Sequence, residues 1–170
     1  MSINIELLKE LSNAFGPSGY EDLVREIITR ELSNEDFKYT VDNLGNVIVE
    51  EIKNKELPTI ILDAHMDEVG LLITHIDKNG FLRFEKLGGI DTRILLSQRV
   101  KILAGDHFIY GIIGAKAPHL LIPEEQTKVP DFRSLFIDVG ATSRGEVESM
   151  GIIEGSVAVF DSQFITQGNK

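Results

Sequence analysis

The 170-residue chain contains no cysteine, which excludes disulfide cross-links, thiolate catalysis and cysteine-ligated zinc at once. It also lacks any apolar run near the roughly 20 residues that a membrane-spanning helix needs. The opening MSINIELLKELSNAF is amphipathic and carries charges throughout, so it does not read as a signal peptide. Basic residues are in short supply, 17 Lys and Arg against 27 Asp and Glu, for a formal net charge of −10. A surface with that balance repels phosphate backbones and anionic lipid, which argues against nucleic acid and membranes as partners. There is no internal repeat and no low-complexity tract. Together these absences lead us to expect a soluble, cytoplasmic protein.

What is present describes a folded chain. A hydrophobic content of 42% with 26% charged residues is that of a globular protein, and the length suits one ordinary domain or two small ones. Ile5, Leu8, Leu11 and Phe15 fall at helical spacing and predict a first helix over 5–15. GPSGYE then breaks the pattern. Ser18 followed by Glu21 fits a capping box for a second helix over about 19–32, burying Leu23, Ile27 and Ile28. FKYTVDNLGNVIVEEI reads as two strands joined at Asn43–Asn46, with Gly45 free to take a positive φ. TIILDAH, a nearly continuous apolar run, predicts a strand buried on both faces. Two helices followed by strands suggest the start of an α/β layer.

The pattern changes after Gly70. GLLITHIDKNGFLRFEKLGG and RVKILAGDHFIYGIIG each read as a hairpin, turning at Lys78-Asn79-Gly80 and Gly105-Asp106, and SLFIDVGA and SVAVFD add single strands. SRGEVESMG repeats the capping signal with Ser143 and Glu146 and predicts a short helix closed by Gly151. Short strands with glycine turns indicate a small β-barrel or sandwich. Three of the five prolines crowd into APHLLIPEEQTKVPD, which reads as an ordered surface loop.

Chemistry concentrates in ILDAHMDEVG. In an extended segment, side chains two apart project to one face, so His65 and Asp67 would point together. Imidazole is a common ligand for divalent metals, and a nearby carboxylate can receive its second ring N–H and fix its orientation. The plain alternative is a chance H-x-D triplet in a turn, with Asp63 and Glu68 as a solvated rim. Elsewhere, His75 reads as a packed or surface residue of a strand, and His107 as a solvated turn residue. His119 lies in the proline-rich loop, where it could sit near substrate or a neighbouring subunit. Asp91 and Asp138 read as turn and barrel residues, and Glu124 and Glu125 as a solvated charge pair.

AHMDEVG behind an apolar run resembles the tetrahedral (TET) or glutamyl aminopeptidases, a family of dinuclear metallopeptidases in which some members carry an older cellulase or endoglucanase label. GPSGYE, DNLGNVI, THIDKNGFLR, GGID, QRVKI, GIIGAKAPH, LFIDVGA and GIIEGS are similar to family segments, in family order. The resemblance implies an incomplete α/β metallopeptidase layer with an inserted β-barrel or PDZ-like module. Residues 1–68 would open the catalytic domain, 69–160 would form an assembly or dimerisation module, and 161–170 would start the return. It also implies a metal-dependent aminopeptidase acting on peptides, using two zinc or cobalt ions and assembling as a homo-oligomer, a dodecamer built from dimers.

By position, His65 matches the family's first metal ligand and Asp67 the catalytic-site acid that orients it. The other ligands and the general-base glutamate belong to later segments that these residues do not contain. The expectation is therefore a front half, inactive alone, which holds at most one metal weakly and pairs with copies of itself or with a chain carrying the missing half. The alternative from another class is a non-enzymatic assembly or regulatory module that keeps the β domain. A glycoside hydrolase would need two carboxylates flanking a sugar cleft, and nothing here singles out such a pair.

Overall fold

The computed structural model describes residues 4–51, 56–123 and 127–168. The chain divides into two compact units, residues 1–67 with 163–170, and residues 68–162.

The first unit holds two helices and a hairpin. Helix α1 (Ile5–Asn13) is capped by the Asn4 side chain, which accepts from the Leu7 N–H. It stops two residues short of the predicted Phe15, because Ala14 turns into extended backbone and carries Phe15, Gly16 and Pro17 into buried positions. Helix α2 spans Asp22–Asn34 and buries Val24 and Ile27; Leu23, expected inside, is exposed. The predicted capping box does not form. Glu21 is the N-cap residue with no side-chain cap bond, and its carboxylate instead accepts from the Gly19 N–H at 2.7 Å. Arg30 of α2 clamps Glu10 of α1 through both carboxylate oxygens, at 2.8 and 2.6 Å. Strands β1 (Tyr39–Val41) and β2 (Val47–Val49) form the expected hairpin, with Gly45 at φ 89°.

Thr59–His65 is a correction. It forms no strand, and Ile60, Ile61 and Leu62 are 84%, 83% and 95% exposed. An apolar run favours burial, but a buried strand also needs a neighbour on each side. Among the described residues the β1–β2 pair takes no third strand.

The second unit is a closed six-stranded barrel. Its strands are β3 (Gly70–Ile76), β4 (Leu82–Leu87), β5 (Arg99–Ala104), β6 (His107–Gly114), β7 (Phe136–Asp138) and β8 (Val157–Phe160). They run in the order β3-β4-β7-β6-β5-β8, every pair antiparallel, and β8 returns to β3 to close the circle. Closure leaves no sheet edge within the barrel. The period-two pattern puts Leu71 and Ile73, Val100 and Ile102, Ile113, Ile137 and Ala158 inside, all fully buried.

Helix α3 (Arg144–Ser149) and Ile152 bury Val147 and Ile152 against the same core. Here the capping signal holds. Ser143 Oγ accepts from Glu146 N, while the Glu146 carboxylate reaches back one residue further than predicted, to Thr142 N. Of the proline-rich loop, Pro118–Leu120 and Phe132–Ser134 form single 3₁₀ turns. Glu124 and Glu125 lie outside the described residues.

Candidate metal-ligand site

His65 ends the exposed segment of the first unit, and its ring reaches forward to Asp67. Nδ1 lies 3.0 Å from Asp67 Oδ1 and 3.0 Å from the Asp67 main-chain oxygen. Both neighbours are acceptors, so Nδ1 carries the proton and donates it. In the neutral ring that places the free electron pair on Nε2. The imidazole is 85% exposed, which leaves Nε2 accessible. The expected i, i+2 geometry is therefore present, although the backbone that carries it is not part of a sheet.

Asp67 is held from a second side. The Ser18 hydroxyl donates to Asp67 Oδ2. That bond, reinforced by the charge and hydrogen bond of the neighbouring imidazole, holds the Asp67 carboxyl below the ordinary carboxylate range against an opposing effect of burial. An ionised Asp67 is an acceptor only, consistent with both donors pointing at it. Ser18 was read from sequence as a helix cap. Its partner lies 49 residues along the chain, and no local pattern carries that information.

The remaining candidates do not join this pair. His75 in β3 turns its Nδ1 to Glu154, 3.1 Å away. His107 is the first residue of β6, opposite Ala104, and not a turn residue as expected; it lies beside Asp106, and both are exposed. His119 lies in the Pro118–Leu120 turn. Asp91 caps the Thr92–Ile94 turn and pairs with Arg93, which pulls its carboxyl down to about 2. Asp138 accepts from Gly140 N at 2.8 Å. Among the described residues no three His, Asp or Glu side chains converge as a metal-binding group.

Residues 45–170 match the family model described as M42 glutamyl aminopeptidase. The chain belongs to that family. Among curated relatives of this M42 chain, the lysyl aminopeptidase of Pyrococcus furiosus is 35% identical over 164 residues, 95% of this chain and 47% of the relative. The TET aminopeptidase structure from a Thaumarchaeota archaeon superposes with a TM-score of 0.92 at 39% identity, over 97% of this chain and 46% of that one. The Pyrococcus horikoshii TET1 peptidase, described as assembling into a tetrahedron or a large octahedral shell, matches at TM-score 0.81 and 41% identity, over 92% and 46%. This M42 chain spans just under half the length of the relatives it matches.

Proposed function

We propose that this chain supplies the first metal ligand of a metal-dependent aminopeptidase site, with His65 as the ligand and Asp67 as the acid that orients it. The observation that carries the reading is the His65 Nδ1 contact to Asp67, which turns an exposed Nε2 electron pair outward. Metal-bound histidines ordinarily donate their other ring N–H to such a carboxylate, so the pair fits one coordination position of a zinc or cobalt ion. It fits one position only. Because the described residues bring no further ligands to it, a two-metal site needs side chains from elsewhere.

When bound, a divalent ion in such a site polarises a peptide carbonyl and acidifies water. The residues in hand perform a narrower task. Asp67 holds the imidazole in one tautomer, and Ser18 engages the carboxylate oxygen that His65 does not use. No residue at a matching position offers a general base, and loss of that group alone costs roughly 10²–10⁴-fold in rate. Residues 1–170 by themselves should therefore show no aminopeptidase turnover.

Peptides are the proposed substrate class, on the strength of the family. Assembly with copies of itself is part of the same proposal, supported by the TET assemblies among its structural relatives and by the exposed apolar segment Ile60–Leu62. A cytoplasmic setting accords with the cysteine-free, acidic composition, and no described helix is long and apolar enough to cross a membrane. The test of the site follows the His65 ring resonances by NMR during cobalt addition. Selective broadening of His65, with His75, His107 and His119 unaffected and the effect lost in His65→Ala, supports the reading. Equal broadening of all four, or none at His65, contradicts it.

A further inference from the structure

We propose that Ser18 is a positioning residue for the His65 imidazole: its hydroxyl takes Oδ2 of Asp67 and so reserves Oδ1 for His65 Nδ1–H, which fixes Nε2 as the outward electron-pair donor. The inference deepens the reading of His65 as a metal ligand and rests on it for its consequence, though not for its geometry.

A carboxylate on a short side chain rotates freely about its terminal torsion, which is broad rather than three-welled. A single hydrogen bond from the imidazole therefore does not fix the plane of Asp67. Two donors arriving at opposite oxygens do. His65 supplies one, its Nδ1 3.0 Å from Oδ1 and also 3.0 Å from the Asp67 main-chain oxygen, and Ser18 supplies the other. The one proton of the hydroxyl goes to Asp67, and the oxygen makes no cap bond to the start of α2, where the N-cap residue is Glu21.

The segment that carries Ser18 is built to hold it there. Gly16 is packed so closely that a Cβ would come within 2.5 Å of Val24 Cγ2, with the Met66 main-chain oxygen 3.9 Å away. Pro17 is buried, and its carbonyl accepts from Tyr20 N at 2.8 Å, closing a turn around Ser18 and Gly19. Gly19 takes φ +86° in that turn, a value that side chains rarely adopt, and its N–H is held by Glu21. Ser18 thus projects from a turn pinned on both sides, and the GPSG segment places its hydroxyl against Asp67 as part of the site's construction.

The test uses the full chain, labelled with ¹⁵N, and long-range ¹H–¹⁵N correlation of the His65 ring. It is run at one fixed pH for all variants. Wild type should show Nδ1–H predominating. Ser18→Ala should move the ring toward the Nε2–H tautomer and weaken zinc binding on the order of tenfold, the scale of losses for groups that orient a ligand. Ser18→Thr and Ser18→Val form a shape-matched pair with and without the hydroxyl. Threonine should restore the wild-type ring and valine should not, which separates the hydrogen bond from any effect on folding. An unchanged tautomer ratio in Ser18→Ala and Ser18→Val, with Asp67→Ala still shifting it, would overturn the proposal and leave the His65–Asp67 reading standing. A tautomer shift in the Ser18 variants without zinc binding in any protein would uphold the role of Ser18 and contradict the metal reading alone.

Discussion

Two apolar runs of this chain meet opposite fates. Val100 to Ala104 in β5 and Ile60 to Leu62 in the first unit are both rich in aliphatic residues, yet Ile102 is fully buried and Leu62 is 95% exposed. The difference lies in partners. β5 pairs with β6 along six residues and with β8 along three, inside a barrel that closes on itself. Ile60–Leu62 has the same appetite for burial and no strand beside it among the described residues. Burial belongs to a set of strands, and apolar sequence alone does not confer it. The barrel strands supply one another's partners, whereas Ile60–Leu62 has no strand partner among the described residues.

The largest effects should come from breaking that contrast. Ile102→Ala in the barrel should cost about 2–5 kcal/mol, the usual range for an emptied core site. Leu62→Ala should change stability by no more than about 0.5 kcal/mol, as surface changes do. Thermal unfolding of both variants in dilute solution checks the pair, and comparable losses would show that Leu62 is packed. A second, smaller effect should follow from Gly111→Ala in β6. The new Cβ would meet Ile137 Cγ2 at 2.5 Å and the Asp138 main-chain oxygen at 3.1 Å, so the β6–β7 pairing must shift. Overpacking of that kind costs about 1–3 kcal/mol, and denaturant unfolding should show a lower midpoint at unchanged slope.

How much of this could be read in advance divides along the same line. The hairpins of the barrel were legible because each turn is local. Gly80 and Gly105 supply positive φ where the sequence placed the reversals, and the flanking residues alternate inside and out. His65 and Asp67 were legible because an i, i+2 contact is also local. Ser18 was misread, since its pairing with Asp67 spans 49 residues while the competing capping pattern spans three. The Thr59–His65 strand was misread for the same reason. Hydrophobicity is written in the segment, but its hydrogen-bonding neighbours are not.

A smaller effect, in acid, sharpens the picture of the barrel. Glu154 Oε1 accepts from Ile76 N at 3.3 Å, with His75 Nδ1 at 3.1 Å and Arg144 Nη1 at 3.2 Å around it. The backbone bond to Ile76, followed by the charge of Arg144, holds its carboxyl below the ordinary value. A carboxyl with a depressed folded pKa stabilises the protein above its unfolded value near 4.5, and that contribution is lost as pH falls through the folded value. Glu154→Gln should therefore unfold earlier than wild type at neutral pH, and the gap should narrow in acid. Melting curves at neutral and acidic pH check the sign. A gap that widens in acid would contradict it.

The most direct test of the proposal that these residues supply one metal ligand, His65, is the stoichiometry of metal binding. Calorimetric titration of the 170-residue chain with zinc or cobalt should show at most one weakly bound equivalent, abolished in His65→Ala and retained in His75→Ala. Two tightly bound equivalents per chain, or binding indifferent to His65, would contradict the account.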